Sequence, residues 1–299
     1  MDELIWGIDL GGTKIEGVVL ATTERAEPLC RLRIPTEAAG GYEHILGRVA
    51  ALVQRLAAAT GTRPRRIGFG TPGVLDPTSQ TLKNSNTTCY IGRPLKADLE
   101  AALHVPVVLA NDANCFALAE ARLGAGRGAA SVFGVILGTG VGGGIVLRGE
   151  VVHGCQGIAG EWGHNIVDER GEPCYCGRRG CVETFLSGPA LEAHYARQSG
   201  QRLPLREIVA RHRRGDDPHA TATVQRLLAY FGRSLAQVIN ILDPEVVVLG
   251  GGVSNVELLY TEGVRQLGRW VFNDRVQTRV VRHQLGDSAG VFGAAMLVA

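Results

Sequence analysis

WGIDLGGTKIEGVVL (residues 6–20) decides how this chain is read, because it returns as FGVILGTGVGGGIVL (133–147). Laid over one another without gaps, Gly7, Leu10, Gly11, Gly17, Val19 and Leu20 fall on Gly134, Leu137, Gly138, Gly144, Val146 and Leu147. Each copy is an apolar run, a glycine-rich corner and a second apolar run, the pattern of a β-hairpin. A single glycine or aliphatic match carries little weight here. Repetition of the whole grammar argues for two related halves.

Around the copies, strand-like and helix-like segments alternate. Apolar spacing predicts helices over 42–59, 96–103, 113–123, 189–199, 203–212 and 219–242, one beginning near 255, and an apolar one at the end. Strands are predicted at 28–34, 66–70, 105–109, 245–249 and 279–282. This alternation makes the fold class α/β, in layers and largely parallel. A length of 299 residues allows two domains.

Composition narrows the function classes. Apolar content of 45% and charged content of 20% describe an ordinary soluble protein. The net charge is +2, and the densest basic cluster, RHRRG (211–215), reads as a solvated helix end, so no nucleic-acid partner is expected. The acidic opening MDELIWGIDL is no signal peptide. No apolar run approaches the roughly 18–20 residues of a membrane span, so a cytoplasmic location is expected. Seven cysteines, an odd number, argue against a disulfide framework.

Two chemistries can be weighed at the glycine corners. Residues 138–143, GTGVGG, contain the spacing of a dinucleotide fingerprint, with Glu161 about where a ribose-binding acid would fall. That fingerprint needs a helix to begin at its last glycine, whereas this chain runs on into the strand-like IVL (145–147). A Walker A loop is also missing. Two glycine-cornered hairpins suit a polyphosphate gripped from two sides, since glycine lets backbone N–H groups approach anionic oxygens. Thr13 and Thr139 would add hydroxyl donors, and Asp9 is placed to hold Mg²⁺. Tight hairpins with no ligand are the plain alternative. Asp112, where the 105–109 strand meets the next helix, is either a functional acid at the carboxyl end of a strand or a helix cap.

The segment GEWGHNIVDERGEPCYCGRRGCVETF (160–185) has another character. Cys174, Cys176 and Cys181, with His164 upstream, form a tetrahedral donor set suited to structural Zn²⁺. Such a set is coordinatively full, which assigns it to pocket shape and not to catalysis.

DLGGTK (9–14), ANDANC (110–115), LGTGVGGG (137–144), GEWGH (160–164), CYCGRRGC (174–181), DPEVVVLGGGVSN (243–255) and GDSAGVFGAA (286–295) resemble the ROK family of sugar kinases and repressors. The resemblance implies two actin-like (ribonuclease H-like) α/β domains with a cleft between them, at 1–115 and 116–299. The second carries the zinc loop, and the terminal helix is a candidate to pack back on the first. It implies ATP at Asp9, Gly11, Gly12, Thr13, Lys14, Gly138, Thr139, Gly140, Gly142, Gly143, Gly251, Gly252 and Gly290. It implies zinc at His164, Cys174, Cys176 and Cys181, and a sugar held by Asn86, Asn111, Asp112, Glu161, His164 and Glu183, with Asp112 as the base. Glu161 as a surface acid, and Glu183 as a cap of 182–186 or an arginine partner, remain the plain alternatives.

Within the family, KNSNTT (83–88) and GEWGHN (160–165) look closest to bacterial fructokinases, so fructose is the expected sugar. N-acetylglucosamine kinases and glucokinases of the same family are the alternatives; the former tend to carry Phe where this chain has Trp162. A sugar-sensing repressor would need a winged helix-turn-helix ahead of DLGGTK, where only a few residues stand. A homodimer is a family expectation.

Overall fold

The computed structural model describes residues 4–85 and 87–299, so Asn86 lies outside the described residues. The chain divides into two compact units. One comprises Met1–Ala130, Gly144–Ala159 and Gln284–Ala299, and the other Ser131–Gly143 and Gly160–His283.

The first unit opens with strands β1 (Ile5–Leu10), β2 (Lys14–Leu20) and β3 (Pro28–Pro35), then helix α1 (Gly41–Thr60). Strand β4 (Ile67–Thr71), the short pair β5 (Val74–Leu75) and β6 (Leu82–Lys83), helix α2 (Leu95–Leu103), strand β7 (Val107–Asn111) and helix α3 (Asp112–Leu123) follow. The sheet runs β3-β2-β1-β4-β7, antiparallel through the hairpin and parallel from β1 through β4 to β7.

Strand periodicity sorts its faces. Trp6, Ile8, Leu10, Ile67 and Phe69 join the core that also holds Ile45, Val49, Leu52 and Leu99 of the two covering helices. The opposite face carries Gly7 and Gly68, where any Cβ would strike the backbone of the terminal helix. Asp9 shares that glycine face, two residues on from Gly7.

The second half repeats the plan. Strands β8 (Ser131–Leu137), β9 (Val141–Leu147) and β10 (Glu150–Val151) are followed by helices α4 (Glu183–Leu186), α5 (Gly188–Ser199), α6 (Leu205–Arg214) and α7 (Pro218–Leu242). Strand β11 (Val246–Gly250), helix α8 (Glu262–Leu267), strand β12 (Arg279–Arg282) and the terminal helix α9 (Ala289–Met296) complete the chain. This sheet runs β10-β9-β8-β11-β12, with β8, β11 and β12 parallel. Both sheets therefore follow the same order: an antiparallel hairpin whose first strand continues into two parallel neighbours. The expected α/β class and the duplicated hairpin are both present.

Two local expectations shift. The strand predicted at 105–109 is Val107–Asn111, because Pro106 has no N–H to donate and only its carbonyl pairs, accepting from Ile67 N–H at 3.1 Å. In place of a helix from about 255, the chain makes turns at Gly252–Asn255 and Glu257–Tyr260 before α8. Ser254 donates to the Gly251 carbonyl at 2.6 Å, and Tyr260 donates to the Ser254 carbonyl at 2.8 Å, fixing that path. Among the described residues, no helix is long and apolar enough to cross a membrane.

Candidate active site

The first unit gathers most of the acids and corner residues singled out in its sequence. The corner at Gly11–Lys14 is a tight turn, Gly11 N–H to Lys14 O at 3.0 Å, clamped by buried Thr36. Thr36 donates its hydroxyl to the Gly11 carbonyl at 2.6 Å and its N–H to the Thr13 carbonyl at 2.9 Å. Gly12 and Thr13 stay exposed. A Cβ at Gly12 would lie 2.8 Å from Thr87 Oγ1, which brings the 83–88 loop against the corner.

Asp9 sits opposite Gly70 in the β1–β4 register. A Cβ at Gly70 would be 3.4 Å from Asp9 Oδ1, and one at Gly290 would be 3.1 Å from Oδ2, so both glycines keep the space around this carboxylate clear. Burial, followed by the charges of Asp112 and Glu16, pushes Asp9 up to about 7, with Lys14 and Arg33 acting the other way. Glu16, buried directly across from Asp9 in the β1–β2 register, accepts from Arg31 and, at 2.8 Å, from Arg33; Lys14 lies 3.9 Å away. The second guanidinium nitrogen of Arg31 reaches the Ser288 hydroxyl ahead of α9. This cationic group carries no sequence signature, because Lys14 comes from β2 and Arg31 and Arg33 from β3.

At the start of α3, the cap is Asn111, whose Oδ1 accepts from Asn114 N–H at 2.7 Å. Asp112 is then the first helical residue, so the capping alternative considered for it belongs to its neighbour. Asp112 accepts from its neighbour Ala113 N–H at 2.8 Å. Its side chain reaches solvent, yet the surrounding protein crowds it enough that desolvation raises its carboxyl above the ordinary range, against the lowering effect of that hydrogen bond.

The second unit holds the other corner and the Cys/His loop in direct connection. Gly138 N–H donates to Gly140 O at 2.9 Å, and the Gly138 carbonyl accepts from Gly188 N–H at the start of α5, also at 2.9 Å. Thr139 is exposed and Gly142 half-buried. Gly143 is buried, and a Cβ there would lie 2.5 Å from Gly160 O and 2.9 Å from the Phe133 ring, so its room is taken by packing against the 160–164 segment. Gly251, at φ +80°, lies against the end of β8, and Gly252 faces open space. Ser187–Gly188 beside the corner was missed, although a serine cap before Pro189 is a legible helix start.

Glu183 ties the corner to the loop. Its Oε2 accepts from Val141 N–H at 2.9 Å and would be 2.5 Å from a Cβ at Gly140. This is neither the cap nor the arginine pair considered from sequence. Trp162 stands edge-on to Phe133 at 5.9 Å and donates to the Ser234 carbonyl of α7 at 3.1 Å; Tyr230 of the same helix donates to Asp168 at 2.8 Å. The long helix α7 is the backing on which the loop is folded.

His164, Cys174, Cys176 and Cys181 present ligand atoms that all lie within 4.8 Å of one another. Cys176 Sγ and Cys181 Sγ are 3.6 Å apart, as are Cys174 Sγ and His164 Nδ1. Zinc bonds of about 2.3 Å to sulfur and 2.0 Å to nitrogen set tetrahedral edges of about 3.5–3.8 Å, so these donors fit. Burial, then hydrogen bonds with Cys176 and Cys174, pushes the Cys181 thiol up to about 12. A divalent cation supplies the charge that lets such a set ionise. Glu161 precedes the short turn Trp162–His164, and His164 ends it.

Comparison with known proteins agrees with this layout. The N-acetyl-D-glucosamine kinase of Vibrio parahaemolyticus serotype O3:K6 is 36% identical over 304 residues, covering 98% of this chain and 99% of the relative. The crystal structure of a ROK hexokinase from Thermus thermophilus superposes with a TM-score of 0.88 at 36% identity, covering 98% of this chain and 97% of that one. A ROK family glucokinase from Streptomyces griseus, solved in complex with glucose and AMPPNP, gives 0.78 at 32% identity, with 98% of each chain covered. A family model described as "ROK family" matches residues 5–299. The chain belongs to the ROK family.

Proposed function

We propose that this protein is an ATP-dependent hexose kinase with Asp112 as the general base. The observation that carries the reading is the placing of Asp9 and Asp112 in one unit, with burial and then the charge of Asp112 raising Asp9, beside an exposed glycine corner with Lys14. Phosphoryl transfer asks for positioning, a cation and a proton acceptor. Gly11, Gly12, Thr13 and Lys14 offer backbone N–H groups, a hydroxyl and a charge to the phosphates. Asp9 is the residue to hold the Mg²⁺ of MgATP. Gly138, Thr139, Gly140, Gly142, Gly251 and Gly252 are proposed for the nucleotide too; Gly290 and Gly143 serve by leaving room, the former for Asp9 and the latter for Gly160.

The sugar hydroxyl oxygen forms a bond to the γ-phosphorus as the bond to the β,γ-bridging oxygen breaks. Its proton passes to Asp112 and ADP departs. A raised carboxyl is a better proton acceptor and needs a higher pH to be ionised, so turnover falls as pH drops through its range. Asn111, Glu161, His164, Glu183 and Asn86 are proposed to hold the sugar. Zinc on His164 and the three cysteines leaves no open position, so its contribution is to set the loop that carries these groups.

Among hexoses, the relative named for N-acetylglucosamine supports that sugar first, and the hexokinase and glucokinase structures support glucose. Fructose, expected from 83–88 and 160–165, has none of these three behind it. Trp162, set against Phe133 and α7, is a packing residue and no guide to the sugar. The test is ADP release with MgATP over N-acetylglucosamine, glucose, mannose and fructose. Hexose-dependent release is expected, and its absence with all four sugars would remove the kinase reading.

A further inference from the structure

His164 turns Nδ1 toward the cysteine sulfurs, and Tyr175 covers its other nitrogen. Tyr175 Oη lies 3.0 Å from His164 Nε2, and the two rings meet edge-on with centroids 5.1 Å apart at 87°. The tautomer follows from the thiol set. With zinc held by the set, Nδ1 would turn its lone pair toward the cation, and the proton would sit on Nε2, where it is donated to Tyr175 Oη. A hydroxyl that accepts from an imidazole occupies the place a sugar hydroxyl would take on the same donor.

Tyr175 is also free to leave. It is 83% exposed, so little packing holds the ring. Its backbone is fixed on either side, by Cys174 N–H to Arg178 O at 2.7 Å and Gly177 N–H to Cys174 O at 3.0 Å. The side chain can therefore swing while the metal-binding turn stays in place.

We propose that Tyr175 is a positioning residue that holds the His164 imidazole while the sugar site is empty, and that an incoming sugar hydroxyl displaces Tyr175 Oη from Nε2. This rests on the hexose kinase reading. The tyrosine hydroxyl and the substrate compete for one donor, so removing the hydroxyl strengthens sugar binding and leaves the chemical step alone.

Tyr175→Phe keeps the ring and deletes Oη. Its KM for N-acetylglucosamine or glucose should fall about two- to tenfold, the worth of one neutral hydrogen bond, with kcat and the KM for ATP unchanged. Calorimetric titration with the same sugar, without nucleotide, should show the same fall in Kd. Nitrogen-15 spectra should show the His164 Nε2–H moving on sugar addition in the natural protein, and exchanging faster with water in the sugar-free variant. Tyr175→Leu, which also loses the ring, should repeat the gain in affinity. A raised Kd would make Tyr175 a direct sugar ligand, and an unchanged Kd, with or without metal loss, would make it a prop of the loop; either result overturns the proposal. If the natural protein turns over no hexose, the kinase reading fails, and that is known before any variant is made.

Discussion

The two hairpins share a backbone plan and differ in where their charge comes from. In the first, Asp9, Lys14 and Glu16 lie on the hairpin itself. At the matching places the second has Ile136, Val141 and Gly143, and its carboxylate arrives from Glu183, on the loop that carries the cysteines. Gly17 and Gly144 are kept where close packing leaves no room for a Cβ, and the apolar positions Leu10, Val19 and Leu20 are kept with them. Side chains are where they diverged. One half is charged by its own strands, and the other takes a carboxylate from the segment that follows the cysteines.

If the first half supplies the chemistry, Asp112→Asn should lower kcat by roughly 10²–10⁴-fold in the ADP-release assay, while calorimetric sugar binding persists. Turnover like that of the natural protein would remove Asp112 as the base.

If the second corner depends on the loop, losing the metal should disturb that corner as well. Metal analysis should find about one zinc per chain. Cys181→Ala should abolish it, lower the unfolding midpoint by well over 5 °C, and weaken nucleotide binding through the freed Glu183. A metal-free protein that remains folded and active would break the comparison.

Equivalent positions offer a smaller test. Glu16→Ala strands two half-exposed arginines and should cost about 2 kcal/mol, discounted for their solvent screening. Gly143→Ala, at the place that matches Glu16, should cost about 1–3 kcal/mol for the opposite reason, crowding against Gly160 and Phe133. Urea unfolding of both measures the contrast, and a neutral Gly143→Ala would show that the second corner has slack.

A pH slope gives a further test. Asp9 binds its proton up to about pH 7 in the folded chain and only up to about 4 when unfolded. Folding therefore takes up a proton between those values, and stability of the ligand-free protein declines as pH rises through that window. Asp9→Asn should flatten the decline; Ile136→Val, in the uncharged copy, should leave it intact.

What could be read in advance was local. The hairpins follow from glycine and apolar spacing, and the zinc set from four residues within one short loop. Asn111 was harder. It and Asp112 are both good caps, and only the end of β7 at Asn111 decides which one turns its side chain back on the helix. Thr36, Arg31 and Ser288 gave no signal, since Thr36 meets the first corner, and Arg31 joins Glu16 to Ser288, from segments apart in the chain.

By itself the sequence determined the duplicated α/β plan, the glycine corners and the Cys/His donors, because each depends on residues near in the chain. Only the tertiary structure decided that Glu183 serves Val141, that Thr36 clamps Gly11, and that Tyr175 covers the outer nitrogen of His164. A hydrogen bond between side chain and distant backbone depends on angstrom-scale placement of two elements, and no periodicity encodes that distance.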